Sequence, residues 1–355
     1  MAINLDEVNT LSVKKIMPGI ADQFFKNDPV LQYLKRNRYF PYVGGPLVQE
    51  NILYKPQNGG PYAQGSQFNI TKQQTLTGLT FTPRYYEVNV TENQEEVEVI
   101  IRSPQAVMSR VAADLGNAAL TMSSLLAVAL YRHGQNLGGA NDRSLSINGL
   151  EEALTDGTNT TWEGLTFSSY GNQTRSDVGV ALNSPTGNIT SPNIAGAITY
   201  HILEQTFQSC VIGSEMPVMG ITTPTCMGFI NENFQPQQRI DVLEPTISFP
   251  GIKFKTATLV QSNYCPGQAI TQQEQDLLGA VKPSSGETFW WVNPGGEGED
   301  AYLRMYMSAS PKYQFGFTGF KVAQDSTMVA GQILFAGTIT VRTPRLMRGL
   351  YGITS

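Results

Sequence analysis

The chain has 355 residues, of which 41% are hydrophobic and 15% are charged, with a net charge of −5 and a pI near 5.2. This length predicts one large domain or two intertwined domains with a sizeable core. The acidic balance excludes the global basic signature of a nucleic-acid-binding protein. The charged fraction is low against roughly 25% for an average domain, which suggests that part of the surface is buried against other subunits.

The beginning of the chain predicts no signal peptide, because residues 1–7 contain neither a cationic region nor an apolar one. We find no run of about 18 apolar residues and therefore expect no membrane span. The odd number of cysteines and the absence of a CxxC pair predict reduced, mostly buried thiols in a cytosolic product; these are Cys210, Cys226 and Cys265.

Residues 1–40 predict an N-terminal arm. Apolar residues recur there at near-helical spacing and are interrupted by Pro18 and Gly19. A basic patch of Lys35, Arg36 and Arg38 follows. The pattern fits a short amphipathic helix that continues into an extended strap, and an ordinary N-terminal core helix fits equally well.

Residues 41–82 are polar and rich in glycine and proline. Alternating residues at 48–54 and 67–72 predict two strands, joined by a flexible tip that contains Gly59, Gly60 and Pro61. The segment has too few apolar residues to fold on itself, so it must pack on the rest of the chain or on a partner. Residues 81–102 then alternate apolar side chains with glutamates and predict a strand or two with one exposed face.

Residues 103–134 predict the longest helix. Ser103 suits the N-cap, Pro104 suits the first helical position, and Gly134 suits a left-handed end. At about 1.5 Å per residue the helix is roughly 45 Å long. Its few charges predict that most sides are covered, and Gly116 followed by Asn117 suggests a bend or a close crossing.

Residues 135–310 predict a separate lobe of mixed structure. The patterns favour helices at 193–212 and 225–235, a buried strand at 217–223, and a loop rich in glycine and glutamate at 283–300 around Trp290 and Trp291. Residues 303–308 and 332–342 are strand-like, the second very clearly. The whole pattern belongs to the α+β class.

The residues that carry chemistry form no catalytic constellation. The two histidines, His133 and His201, have no nucleophile nearby in a recognisable context. The spacing of histidines and cysteines gives no zinc pattern, and the acids around Glu297 are better explained as a solvated loop. The glycine-rich residues 295–298 (Gly-Gly-Glu-Gly) lack the Lys-Ser/Thr of a phosphate loop. We therefore predict no enzyme activity, no metal and no cofactor.

The order of these pieces carries a resemblance, supported by local stretches. Residues 162–175 (WEGLTFSSYGNQTR) place a Tyr-Gly before an arginine, Thr-Thr-Pro at 222–224 precedes a helix, and Phe-Pro-Gly-Ile at 249–252 and residues 263–267 follow. An arm, a hairpin excursion, a strand, a long helix, a mixed lobe and a return strand resemble the major capsid protein of tailed double-stranded DNA bacteriophages, which has the Hong Kong 97-type fold.

The resemblance implies a division of the chain. Residues 1–40 would be the N-arm and 41–82 the extended E-loop. Residues 83–135 and 311–355 would form the P-domain with spine helix 103–134, and 136–310 the axial A-domain. The arm is short, so a separate scaffold is implied, and Lys55 and Lys72 have no recognisable crosslinking partners, so no covalent crosslink is expected.

The implied function is assembly into hexamers and pentamers of an icosahedral or prolate head that encloses double-stranded DNA. Such a virion protein is assembled in the cytoplasm of the host bacterium. Its partners would be further copies of itself, scaffolding, portal and cement or decoration proteins, and DNA held without sequence specificity, with no membrane.

Several residues are candidates for these contacts. We expect the loop tip, Gly59, Gly60 and Pro61, to touch a neighbour, and Trp290 and Trp291 to serve either at ring centres or in the core. Two basic groups could face packaged DNA, with salt bridges between subunits or a solvated surface as alternatives; they are Lys35, Arg36 and Arg38, and Arg342, Arg345 and Arg348.

Three other functions stay open at this stage. A compartment shell of the same fold, similar to an encapsulin, would hold cargo enzymes in place of DNA. A phage tail tube protein is mainly β, so the long helix argues against it. An enzyme is the most distant alternative, because no constellation of residues supports it.

Overall fold

The main elements of the fold are two six-stranded sheets and one long helix. The structure is a computed structural model, and it describes residues 28–37, 39–68, 70–93, 95, 104–234, 252–322 and 327–355. The helices are α1 Pro29–Asn37, α2 Pro104–Leu130, α3 Leu150–Ala153, α4 Arg175–Val178, α5 Tyr200–Ser209, α6 Pro224–Phe234 and α7 Gln272–Leu278. The predicted α+β class is confirmed.

The strands of the first half are β1 Tyr39–Tyr42, β2 Val48–Leu53, β3 Leu76–Phe81, β4 Arg84–Asn93, β5 Ser169–Tyr170, β6 Gln173–Thr174, β7 Asn193–Ala197 and β8 Met219–Thr222. Those of the second half are β9 Ile252–Phe254, β10 Ala257–Gln261, β11 Glu287–Val292, β12 Leu303–Ser308, β13 Gln314–Phe317, β14 Lys321–Val322, β15 Met328–Val341 and β16 Arg348–Thr354. Strands β2 and β3, and likewise β5 and β6, form separate two-stranded hairpins.

The first sheet is built around β15, a strand of 14 residues. Strand β4 pairs with it antiparallel from Arg84↔Gly337 to Asn93↔Met328. Strands β12, β13 and β14 also pair with β15, and β1 pairs with β12 in parallel. The long helix α2 lies against β4 and β15. The predicted strand-like segments at 303–308 and 332–342 correspond to β12 and to part of β15, so both belong to this sheet.

The second sheet has the order β7, β16, β11, β8, β10, β9. The last strand of the chain, β16, lies between β7 and β11 and is second from one edge of this sheet. Two segments lie in a different sheet from the one that the expected division implies, and the bounds of the domains stay a prediction. Residues 348–354 belong to the second sheet, which together with the elements packed on it is called here the second lobe, although the division places them in a P-domain of 311–355. Strand β12 belongs to the first sheet, although the division places it in a lobe of 136–310. Backbone pairing with distant strands decides both assignments.

Helix α2 is buried along one face, with Val111, Leu115, Ala118, Met122 and Leu126 in the core. These residues recur at intervals of three and four, the apolar spacing of a helix with one buried face. The regular helix ends at Leu130, earlier than the expected 134. Among the described helices, the stretch Val111–Leu130 is long and apolar enough to cross a membrane, a test that the core helix of a globular protein also passes. We expected no such stretch; packing against the first sheet accounts for the apolar face.

Two glycines of this region have roles other than the expected ones. A Cβ on Gly134 would lie 2.8 Å from the carbonyl oxygens of Ser146 and Ile147, so this glycine permits a close approach of two backbone segments and is not a left-handed helix end. A Cβ on Gly116 would meet nothing within 4 Å among the described residues, so no close crossing occurs there.

Three further expectations differ from the structure. The helix expected at 193–212 is strand β7 followed by α5, and the loop expected at 283–300 contains the fully buried strand β11. The second hairpin strand starts at Leu76 and not at 67. The strand at 217–223 and the helix at 225–235 are confirmed as β8 and α6. Residues 1–27, 96–103 and 235–251 lie outside the described residues.

Candidate functional site

The hairpin of β2 and β3 carries an exposed excursion, residues 54–75, which has no helix or strand. Tyr62, Phe68 and Ile70 on it are 69%, 67% and 92% exposed. The rings of Tyr62 and Phe68 meet edge to face at 4.9 Å. Exposed apolar groups that cluster on an excursion mark an interaction surface more often than isolated ones do.

The base of the hairpin is held by Glu50, which is buried on the inward face of β2 beside Val48 and Ile52. Its carboxylate accepts hydrogen bonds from Arg304 Nη1 (3.2 and 3.3 Å), Tyr306 Oη (2.7 Å) and Thr340 Oγ1 (3.2 Å). Arg342 Nε lies 3.3 Å from Glu50 Oε2. This set of residues, called here the Glu50 network, joins the hairpin to β12 and β15.

All three guanidinium nitrogens of Arg304 donate hydrogen bonds within the protein. Its Nε donates to the carbonyl of Ala301 (3.1 Å), its Nη2 donates to the carbonyl of Glu299, and its guanidinium lies 4.7 Å from the ring centre of Phe40. A buried ion pair with this many hydrogen bonds orients its partners, and removal of either charge would leave the other uncompensated.

Strand β3 is fixed on the other side of the hairpin. Thr80 N donates to the carbonyl of Gly171 (2.9 Å), and Gln173 Nε2 donates to the carbonyl of Gly78 (3.1 Å). The rings of Phe81 and Tyr170 meet at 5.3 Å. The stretch 162–175 therefore attaches the hairpin to the second lobe, and both strands of the hairpin are anchored while residues 54–75 are not.

The sequence did not identify the Glu50 network. One signal was available: Glu50 alternates with the apolar Val48 and Ile52, so the period of a strand places it on the buried face. A carboxylate at an inward position requires a partner, although the sequence does not say that the partners come from residues 304–342.

The tip residues Gly59, Gly60 and Pro61 are exposed. A Cβ on either glycine would meet nothing within 4 Å among the described residues. The chain itself leaves this tip open, and the expected contact with a neighbour stays a prediction.

Trp290 and Trp291 are 3% and 0% exposed and lie in β11. Trp291 Nε1 donates to Thr206 Oγ1 at 3.0 Å, and its ring meets that of Phe289 at 4.7 Å. Of the two alternatives for these tryptophans, the buried core position is the one found, and a contact at the centre of a ring of subunits does not fit them.

Replacement of Trp291 by Phe is expected to lower the free energy of unfolding by about 1–3 kcal/mol, because it removes the hydrogen bond to Thr206 and leaves a small void. Chemical denaturation followed by circular dichroism measures the change. A variant with unchanged stability but impaired assembly would contradict the core assignment.

The six basic candidates lie in different environments. Arg36 and Arg345 are exposed. Arg342 is partly exposed and bound to Glu50 and to the carbonyls of Glu299 and Asn51. Arg348 is 3% exposed and donates to the carbonyls of Thr186 and Ile189, so the interpretation of Arg348 as a DNA-facing residue is wrong. Arg38 and the side chain of Lys35 lie outside the described residues.

A cluster of ionisable groups follows the end of α2. His133, Glu151 and Glu163 offer ligand atoms within 4.8 Å of one another. Arg143 Nη1 already lies 2.5 Å from both His133 Nε2 and Glu163 Oε2, and Arg132 Nε lies 3.3 Å from Glu163 Oε1. Burial and the two guanidinium groups lower the pKa of His133 to about 4. Two neighbouring positive charges would repel a metal ion, so this cluster is a poor cation site.

The cysteines are poor nucleophiles. All three are buried, and no disulfide joins them. Burial raises the pKa of the Cys210 and Cys226 thiols to about 12, and the pKa of Cys265 is raised as well. Since the thiolate is the reactive form, these residues are inert at neutral pH. The prediction that these cysteines are buried is confirmed, and their reduced state stays a prediction.

Asp28 anchors the start of α1 to the second lobe. It is fully buried, Oδ1 accepts from Ser262 Oγ (3.0 Å), and Oδ2 accepts from Leu31 N (3.3 Å). Burial raises the pKa of this carboxyl to about 6, against the lowering effect of those hydrogen bonds. The phenol of Tyr131 and the thiol of Cys265 also face it.

A folded-state pKa above the unfolded value of 3.8 means that the contribution of Asp28 to stability is complete below pH 3.8 and is lost as the pH rises through about 6. We expect the difference in unfolding free energy between the wild type and Asp28→Asn to change by up to about 3 kcal/mol over that window. Denaturation series between pH 4 and 7 measure it. A difference that is constant with pH would contradict the raised pKa.

Comparisons with known proteins give a clear result for structure and none for sequence. No protein-family model matches the chain, and no curated protein matches it.

The chain is similar in structure to the capsid of cyanophage A-1(L), with a TM-score of 0.57, 13% identity, and 93% of each chain covered. It is similar to the holo-SrpI encapsulin of Synechococcus elongatus, with a TM-score of 0.54, 8% identity, and 91% of this chain and 87% of the other covered. The capsid of a native GTA particle matches with a TM-score of 0.54, 7% identity, and 92% and 90% coverage. The chain thus has the Hong Kong 97-type capsid fold.

Proposed function

We propose that this protein forms a closed shell, and more specifically that it is the major capsid protein of a tailed double-stranded DNA bacteriophage. Copies of the chain would assemble into hexamers and pentamers of a virion head in the cytoplasm of the host bacterium. The fold supports a shell, and two of the three structures compared above are capsids, one of a cyanophage and one of a GTA particle.

The observation that carries the proposal is the asymmetry of the hairpin. Its base is held by the Glu50 network and by residues 171–173, whereas residues 54–75 expose Tyr62, Phe68 and Ile70 to solvent. A rigid base with an uncovered apolar end is what a contact with a neighbouring copy requires. Each contact is weak alone, and repetition around a closed shell adds the contacts together.

DNA would be held without reading its sequence, through exposed basic side chains such as Arg36 and Arg345. Scaffolding, portal and cement proteins are further proposed partners. We propose a structural and not a catalytic role, because His133 is engaged with Arg143 and the three thiols are buried and protonated at neutral pH.

A compartment shell is the second candidate, and the similarity to the Synechococcus elongatus encapsulin favours it specifically. Such a shell would enclose cargo protein in place of DNA. The fold shared with both kinds of shell argues against a tail tube.

Electron microscopy in negative stain, together with sedimentation of the protein expressed alone, tests the proposal. Closed shells or hexameric rings are the expected result, and the material inside them separates the two candidates: nuclease-protected DNA after phage infection, or cargo protein. Long hollow cylinders would overturn the shell function, as would a monomer that fails to assemble with candidate scaffolding proteins.

A further inference from the structure

A small cavity lies in the second lobe, between residues 154–162, residues 184–192 and strand β16. Its volume is ≈30 Å³. A water molecule needs roughly 10–15 Å³, so the cavity accommodates one or two waters. It is far below the several hundred Å³ of a typical metabolite pocket, which excludes organic ligands of ordinary size.

Three residues that line this cavity each carry a buried polar atom with no hydrogen-bond partner among the described residues. These atoms are Oε2 of Glu151, Nε1 of Trp162 and Nε1 of Trp290, in residues that are 1%, 3% and 3% exposed. The other carboxyl oxygen of Glu151 accepts from Thr161 Oγ1 at 2.5 Å. Leaving such a group unpaired costs about 1–3 kcal/mol, so native proteins satisfy it with protein or with ordered water.

The other polar groups around the cavity are already engaged. Tyr351 Oη donates to the carbonyl of Thr160 (3.0 Å), Ser184 Oγ donates to the carbonyl of Met347 (2.8 Å), and Arg348 donates to the carbonyl of Thr186 (2.5 Å). Among the lining residues that the structure describes, Glu151, Trp162 and Trp290 carry an unmatched polar atom, and the indole of Trp290 faces the thiol of Cys265.

The charge around Glu151 limits the occupant. Arg132 and Arg143 act on its carboxyl, so a metal ion would meet two positive charges. Burial and the neighbouring Glu163 raise the pKa of Glu151 well above its usual range, which favours the neutral acid, a group that can donate as well as accept. A neutral occupant that both donates and accepts is required, and water is the smallest one.

We propose that this cavity is a structural water site, in which one or two ordered waters accept from the indole N–H of Trp162 and bond to the carboxyl of Glu151. The water would connect Glu151 in α3 to Trp162 at the end of the loop at 154–162 and complete the polar interior of the second lobe. This inference does not depend on what the assembled protein encloses.

An experimental structure of the full-length protein, at a resolution that shows ordered water, tests the site. Solvent density roughly 2.7–3.2 Å from Trp162 Nε1 and from an oxygen of Glu151 is expected. An empty cavity, in a map that shows other buried waters, would overturn the proposal. Pairing of both atoms with protein groups would overturn it equally.

Magnetic relaxation dispersion of water oxygen-17 gives a second readout, because it counts long-lived internal waters. The Trp162→Phe variant, which removes the indole N–H and retains a six-membered aromatic ring, is expected to lose about one such water relative to the wild type. Trp291→Phe is the matched control, since its N–H binds Thr206 and it does not line the cavity, and its count should not change. An unchanged count in Trp162→Phe would contradict the site, and the wild-type map decides the matter if that variant does not fold.

Discussion

Replacement of Glu50 by Ala is expected to lower the free energy of unfolding by about 3–5 kcal/mol and to prevent shell assembly. Glu50 is the acceptor for Arg304, Tyr306 and Thr340 in the buried base of the hairpin. Without it, the guanidinium of Arg304, with 9% of its side chain exposed, keeps its positive charge and loses its anion. Chemical denaturation measures the first effect, and sedimentation of the expressed protein measures the second.

Two variants separate the network from a general charge effect. Glu50→Gln keeps the shape and part of the hydrogen bonding, so its loss should be smaller than that of Glu50→Ala. Glu297→Ala removes the same charge from an exposed position and should change stability by no more than about 0.5 kcal/mol. A Glu50→Ala variant as stable as the wild type would refute the role of the network.

The sequence predicted the order of elements well because most of them have a strong local period. The buried face of α2 and the strands at 219–222 and 328–341 follow from apolar spacing alone. The class α+β and the excursion before the long helix follow from the same patterns. These features depend on neighbours in the chain, which a single sequence displays directly.

Pairings between distant strands could not be predicted in this way. Strand β16 pairs with β7 and β11, which are far from it in the chain, and no local pattern distinguishes that sheet from the one containing β15. The glycines and acids around residues 287–292 predict a loop, whereas these six consecutive buried residues form a central strand of the second sheet.

The same limit applies to the candidate contacts. Arginines 342, 345 and 348 are close in sequence and look like one basic patch, but a 3₁₀ helix at Pro344–Leu346 separates the end of β15 from the start of β16. Arg342 is bound to Glu50, Arg345 is exposed, and Arg348 is buried among carbonyl oxygens. Charge in a sequence predicts a charged surface only where no buried acceptor competes for the side chain.

The anchoring of the hairpin allows subunit stability and assembly to be changed by different mutations. The Glu50 network stabilises the subunit, whereas Tyr62, Phe68 and Ile70 of the excursion are exposed in the described part of the chain. Substitutions in the excursion should therefore act on assembly alone. This separation permits a direct test of the shell proposal without loss of the folded subunit.

The triple variant Tyr62→Ser, Phe68→Ser and Ile70→Ser is expected to abolish assembly while the unfolding free energy stays within about 0.5 kcal/mol per site of the wild type. Each of these exposed side chains would contribute about 1.5–3 kcal/mol if a neighbouring copy buried it. The loss is repeated at every contact of the shell. Sedimentation should show free subunits or small oligomers in place of closed particles, and circular dichroism should show an unchanged fold.

A matched control uses three exposed apolar residues outside the hairpin: Leu145→Ser, Leu277→Ser and Val322→Ser, at 83%, 69% and 49% exposure. If the hairpin is the contact surface, this control still assembles, because general loss of surface hydrophobicity is not the cause. Normal particles from the hairpin variant would exclude residues 54–75 as the contact and with them the tip at Gly59, Gly60 and Pro61. Loss of assembly in both variants would place the contact over a wider surface, and the hairpin would no longer be its principal part.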